Sequence, residues 1–218
     1  MLRTTLRLLL VLISCTVLPA CSGTMVDMKE AFGYAKREQL VDRVEDARDS
    51  QAAAKKQFDS ALSEFLAVTQ VSGGDLEAKY KKLNSAYEAS VSKAATVTDR
   101  IKSVETVADK LFAEWQTELN QYSSSQLRAA SERQLTDTRA QYQRLLGVMN
   151  NAESKMAPVL AAFKDQVLFL KHNLNARAIA SLQGTADQIN ADVQRLIREM
   201  QASIDEADAF ITQMKADK

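Results

Sequence analysis

Three places in this sequence hold residue types that could do chemistry. The first is Ser90-Val91-Ser92-Lys93, which matches S-x-x-K. In penicillin-binding enzymes that spacing brings a lysine beside a nucleophilic serine, but the site also needs S-D-N and K-T-G companions and a mixed fold. Neither companion occurs, and Ser90 lies within a helical pattern, so the motif carries no catalytic expectation. The second place is His172, the single histidine. A His₂ or His₃ metal set therefore cannot form within one chain. Ferritin-like di-iron bundles need two Glu-x-x-His motifs, and the residue three before His172 is Phe169. With Lys171 and Arg177 close by, His172 could meet an anionic group at a helix start. The simpler reading is a capping or hydrogen-bonded turn histidine. The third place is Cys21, one of only two cysteines. The sequence has no Gly-rich phosphate loop, no G-x-S-x-G and no H-E-x-x-H. No catalytic residue, metal or cofactor is expected.

Cys21 gains meaning from what precedes it. Arg3 and Arg7 make a basic start, and Leu8 to Val17 form an apolar run. That run is shorter than the roughly 20 residues a membrane-crossing helix needs, and has the length of a signal h-region. Leu18-Pro19-Ala20-Cys21 resembles a bacterial lipobox, with an apolar residue three before the cysteine and a small one directly before it. Pro19 departs from the usual small or aliphatic residue. The resemblance implies cleavage before Cys21 and lipidation of Cys21. Ser22, where an aspartate would signal inner-membrane retention, implies the periplasmic face of the outer membrane of a Gram-negative bacterium. The expected organisation is a signal peptide over 1–20 and one helical domain over 21–218, with 21–33 a tether. Ordinary signal cleavage with a soluble product is the alternative.

Cleavage would discard Cys15 and leave no free thiol, hence no disulfide, thiolate metal site or Cys nucleophile. The 28 basic and 28 acidic residues balance, and losing Arg3 and Arg7 tips the remainder slightly acidic. That distribution has no electrostatic footprint for nucleic acid.

The elements that must position these residues are helices. Six glycines, two prolines and abundant Ala, Gln, Glu, Lys, Arg and Leu describe a chain with few turns. Apolar residues at steps of three and four predict a first helix from Val26 to about Val71, through Phe32, Leu40, Val44, Ala47, Ala54, Phe58, Phe65 and Val68. Ser72-Gly73-Gly74 ends it, since paired glycines adopt positive φ without steric cost. Asp75 is the expected cap of a second helix to about Gln121, seamed by Leu83, Tyr87, Val91, Ala94, Thr98, Ile101, Leu111 and Trp115. Serines 123–125 predict a connection. A third helix from about Leu127 to Asn173 is seamed by Leu135, Tyr142, Leu145, Met149, Met156, Phe163, Val167, Leu170 and Leu174, with a kink expected at Pro158. Asn173 and Asn175 suit a turn, and a fourth helix follows to about Met214, with an irregular step from Met200 to Ile204.

Four helices of this length are each roughly 60 to 70 Å long. Short connections make neighbours antiparallel. The expected fold is all-α: an elongated, antiparallel up-down-up-down bundle with coiled-coil-like seams, an open coiled coil being the alternative. Whether the fourth face is filled within the chain or by a second copy, as a homo-oligomer, stays open. The apolar run Val167–Leu170 would then meet Phe65–Val71 and plug the end away from the N-terminus. The polar residues of that turn, Lys171, His172, Asn173, Asn175 and Arg177, remain as the candidate partner-binding surface. The aromatics Tyr80, Tyr87, Trp115, Tyr122 and Tyr142 read as seam residues rather than a ligand box.

Three stretches also resemble one known family: Lys36–Arg48 (KREQLVDRVEDAR), Gly73–Tyr80 (GGDLEAKY) and Phe163–Leu182 (FKDQVLFLKHNLNARAIASL). The chain resembles an uncharacterised bacterial family known only as a domain of unknown function (DUF twenty-nine fifty-nine). The resemblance spans nearly all of the chain beyond Cys21. It implies a helical envelope protein, often with a lipoprotein-type signal, and no assigned activity.

The expected role is non-enzymatic: an outer-membrane-anchored periplasmic scaffold or adaptor, held to the membrane by its lipid and contacting an envelope protein, without nucleic acid. A lipid-binding protein lying along a membrane is the alternative, which would need a basic stripe on one face. A ligand carrier or enzyme with an inter-helix pocket is the third reading. In cells, Cys21→Ser is expected to abolish incorporation of labelled palmitate and to release the chain from the outer-membrane fraction. Undiminished labelling of the serine variant would refute lipidation at Cys21.

Overall fold

The structure is a computed structural model that describes residues 36–70 and 76–216. Four long helices follow one another: α1 (Lys36–Thr69), α2 (Leu76–Glu118), α3 (Ser125–His172) and α4 (Ala176–Ala216). A single 3₁₀ turn, Leu119–Gln121, extends α2. The Ser72-Gly73-Gly74 turn, its Asp75 cap and everything before Lys36, including Cys21, lie outside the described residues.

Each helix exists because its apolar residues return every three or four positions and need a partner surface. Each packs against its neighbours in sequence, and α1 packs against α4 to close a ring of four. The chain thus fills its own fourth face, as an antiparallel bundle. Cross-helix bonds fix the direction of three pairs, and the short turn at 173–175 fixes that of α3 with α4. Between α1 and α2, Lys36 pairs with Glu114 at 3.0 Å and Gln57 donates to the Ala86 carbonyl at 3.0 Å. Between α2 and α3, the Trp115 indole donates to Ser131 at 2.8 Å and Thr98 donates to Glu153 at 2.6 Å. Between α3 and α4, Asn151 donates to Glu199 at 2.6 Å. Between α1 and α4, Arg48 meets Asp208 at 2.8 Å and Gln183 donates to the Thr69 carbonyl at 2.8 Å. Numbers rise on one helix as they fall on the next, the mark of antiparallel pairs.

The core runs the length of the rod. Leu40, Phe58, Phe65, Leu83, Leu145, Met149, Phe163, Leu170, Leu182, Leu196, Met200 and Met214 are among its fully buried side chains. Phe65 and Phe163 meet edge to face, with ring centroids 6.2 Å apart, where α1 ends against α3. Phe112 and Tyr142 pack 5.4 Å apart nearer the other end, with the Arg139 guanidinium 5.2 Å above the Phe112 ring.

The seams depart from expectation in specific places. Pro158 is not one of them: as expected it sits inside a continuous α3, and the helix tolerates the one missing hydrogen bond rather than restarting, because its apolar stripe keeps phase and stays buried on both sides. Val91 is exposed and the neighbouring Ser90 takes the buried position, its hydroxyl satisfied by the Ala86 carbonyl at 2.7 Å. The irregular step after Met200 is filled by Ser203 rather than Ile204. The expected plug is only half made. Val167 and Leu170 are buried, but Leu168 and Phe169 face outward, and Leu174 also leaves the seam. A helix offers one stripe to its neighbours, so a run of four apolar residues cannot be wholly covered by helices on one side.

One layer of the core is polar. Gln51 and Ser203 are fully buried, and the Ser203 hydroxyl donates to Gln51 Oε1 at 2.8 Å. The Gln51 Nε2 has no hydrogen-bond partner. An unmade buried bond costs about 1–3 kcal/mol, so this layer lowers stability while favouring the register that aligns the two residues. Ser203→Ala should therefore destabilise the bundle by about 1–3 kcal/mol, whereas Gln51→Leu with Ser203→Ala should be neutral or stabilising. Urea denaturation of both variants checks this. A double variant less stable than the single one would refute it.

Candidate functional site

The turn between α3 and α4 is built by its two asparagines. Asn173 ends α3: its backbone N–H donates to the Leu170 carbonyl at 3.1 Å, and its side-chain amide donates to the Phe169 carbonyl at 2.9 Å. The last carbonyls of a helix have no partner within it, and Asn173 supplies one. Asn175 then starts α4, its side-chain oxygen accepting from the Ala178 N–H at 3.1 Å. The Asn175 backbone N–H donates to the Asn173 carbonyl at 3.0 Å. Gln183, two turns into α4, covers the Thr69 carbonyl at the end of α1, and so locks this turn beside the end of the first helix.

The five residues singled out in the sequence thus divide by role. Asn173 and Asn175 are brought together as caps, and their side chains are engaged in holding the turn. Lys171, His172 and Arg177 are exposed around it. From Gln166 to Ala186 there is no acidic residue. The start of α2 lies at the same end and adds Lys79, Lys81 and Lys82. There the Lys81 ammonium, 2.6 Å from Glu77, holds that carboxyl below the usual carboxylate range.

The structure adds what sequence reasoning treated as buried. Among the described residues, the exposed large apolar side chains are Val91, Tyr122, Leu127, Leu168, Phe169 and Leu174. Three of these six fall within the short stretch 168–174. Leu168 is 48% exposed, Leu174 42% and Phe169 39%. The signal was present in the spacing: Val167 and Leu170 are three apart and share the inward stripe, so the two residues between them must point elsewhere. This end of the rod therefore combines exposed apolar side chains with Lys171 and Arg177 beside the turn, next to an α2 start that carries Glu77 as well as Lys79, Lys81 and Lys82.

Other candidate features resolve differently. Ser90 is buried and bonded to the backbone, while Lys93 is exposed. Tyr142 is a core residue; burial pushes its phenol well above the usual range, and Asp109 and Glu105 push the same way. Tyr80, Tyr87 and Trp115 pack partly buried against the core. A trough of about 460 Å³ runs between α2 and α3, lined by Val91, Ala94, Ala95, Thr98, Glu153, Ser154, Met156, Ala157 and Leu160. Small side chains leave it open, and its polar groups are already occupied. Thr98 bonds to Glu153, and Ser154 donates to the Asn151 carbonyl at 2.8 Å. Among the described residues no three His, Cys, Asp or Glu side chains gather as metal ligands, and no helix is long and apolar enough to cross a membrane.

Comparison with known proteins places the chain. The model of the family described as Protein of unknown function (DUF2959) matches residues 26–214. The chain belongs to this family. No curated protein and no solved structure matches it. The match covers all of α1, α2 and α3 and nearly all of α4, so the whole bundle is the family's domain, and the α3–α4 turn lies well inside it.

The capping geometry makes Asn175 the residue on which the turn's shape depends. Asn175→Ala should cost about 1 kcal/mol of stability, the usual loss at an N-cap, and should raise hydrogen exchange over the first turn of α4. Asn175→Asp, which keeps the accepting oxygen, should restore both. Equal loss in the aspartate variant would show that the cap bond is not what matters.

Proposed function

We propose that this chain is a non-enzymatic scaffold of the cell envelope, anchored by lipid at Cys21 in the outer membrane and reaching into the periplasm. The observation that carries the reading is the exposed apolar and basic end formed by Leu168, Phe169 and Leu174 with Lys171, His172 and Arg177. Large apolar side chains exposed near one another at one end of a rod and rimmed by polar residues suit contact with a partner surface. The start of α1, the α2–α3 connection and the end of α4 share one end of the rod, and this cluster occupies the other. An anchor that precedes α1 would leave the cluster about 50 to 70 Å away, by the rise of these helices. The rod then acts as a spacer that presents its tip to a second envelope component.

A photoreactive residue in place of Arg177, compared with one at exposed Lys102 in the middle of α2, tests the reading in cells. Capture of a lipid or protein component of the envelope at 177, and much less at 102, is the expected result. Capture at 102 with none at 177 would sink the proposal.

A further inference from the structure

The chemistry of the tip says more about what it touches. We infer that the α3–α4 turn is a membrane-contact tip that inserts Leu168, Phe169 and Leu174 among the acyl chains of an anionic lipid surface while Lys171 and Arg177 meet lipid phosphates. This rests on the reading of the tip as the contact surface and names its partner.

Three observations favour lipid over a folded protein. Leu168 and Phe169 are consecutive in a helix, so they diverge by about 100° around its axis. Side chains that diverge near the end of a helix suit a fluid layer that closes around each of them, whereas a protein partner would need a separate pocket for each. The charge also fits. The turn has cations on both sides, Lys171 and Arg177, and no acid from Gln166 to Ala186; the acid at the start of neighbouring α2, Glu77, is paired with Lys81 at 2.6 Å, beside Lys79 and Lys82. Basic residues flanking apolar ones are the pattern by which peripheral elements hold to anionic membranes.

The third observation is the turn's own hydrogen bonding. Backbone groups carried into a bilayer interface are costly unless paired. Here the Asn173 N–H is taken by Leu170, the Asn175 N–H by Asn173, and the Ala178 N–H by Asn175. The Phe169 carbonyl is covered by the Asn173 side chain. The two asparagines thus pair part of the turn's polar backbone from within, beside the exposed side chains of Leu168, Phe169 and Leu174.

The test uses the unlipidated chain from Ser22 onward, which keeps every described helix, so that the tip acts without the anchor. Flotation with phosphatidylglycerol-rich vesicles should recover the chain, with recovery falling as salt rises and absent on phosphatidylcholine vesicles. Leu168→Ser with Phe169→Ser should weaken binding at least about tenfold. These positions are already exposed, and an unchanged thermal transition would show the fold intact. Lys171→Glu with Arg177→Glu should remove the salt-dependent part. No binding to anionic vesicles, or binding unaffected by either pair, overturns the inference. Cross-linking at 177 separates the two levels: capture of a protein there without vesicle binding leaves the scaffold reading standing and removes the lipid. Absence of both removes both.

Discussion

The closing contact between α1 and α4 is the constraint on which the bundle depends. Each of the other three interfaces joins helices that follow each other in sequence, so a short connection already holds them side by side. The α1–α4 interface joins the ends of the chain, and nothing local enforces it. It is held by core packing together with a ladder of polar contacts: Arg37 to the Met214 carbonyl, Lys215 to Glu45, Arg48 to Asp208, Gln51 to Ser203, Lys55 to Gln201 and Gln183 to the Thr69 carbonyl. The exposed ion pairs among these contribute little stability. Their joint effect is on alignment, because a shift of α4 by one turn would break all of them and bury Gln51 without Ser203.

That alignment reaches the candidate site. Gln183 can cover the Thr69 carbonyl only when α4 sits in this register, and the same placement sets the α3–α4 turn beside the end of α1. Phe65 and Phe163 pack just inside the tip, with Val167 and Leu170 above them. The inward stripe of α3 is thereby filled, and Leu168 and Phe169 are turned outward by helical geometry alone. The exposed cluster is thus a consequence of a well-packed interior. The proposed tip contact uses side chains that the fold cannot bury, on a turn whose caps keep its shape.

The helices and their antiparallel order were legible in the sequence because both follow from local rules. Regular three-and-four spacing sets the buried stripe, and the serines at 123–125 and the asparagines at 173 and 175 mark connections by competing for backbone hydrogen bonds. Irregular positions were less legible. Thr98 sits at a seam position but bonds sideways to Glu153, leaving Val97 to fill the layer. Gln51 fills the heptad position between Ala47 and Ala54, where an apolar residue would be expected, and only its partner across the bundle explains it. A side chain's own stretch of sequence does not contain the neighbour that satisfies it.

By itself, then, the sequence determined the all-helical class, the places where the chain turns, the family, and the absence of acid around the α3–α4 turn. These depend on residue type and spacing within one segment. Only the tertiary structure decided that the ring closes within a single chain, that Ser90 and Ser203 rather than their apolar neighbours face the core, and that Leu168, Phe169 and Leu174 stay outside it. Those outcomes depend on which helices meet and in what register. A helix can show a partner only one stripe at a time, and which residues fall outside that stripe is settled when the partner is in place.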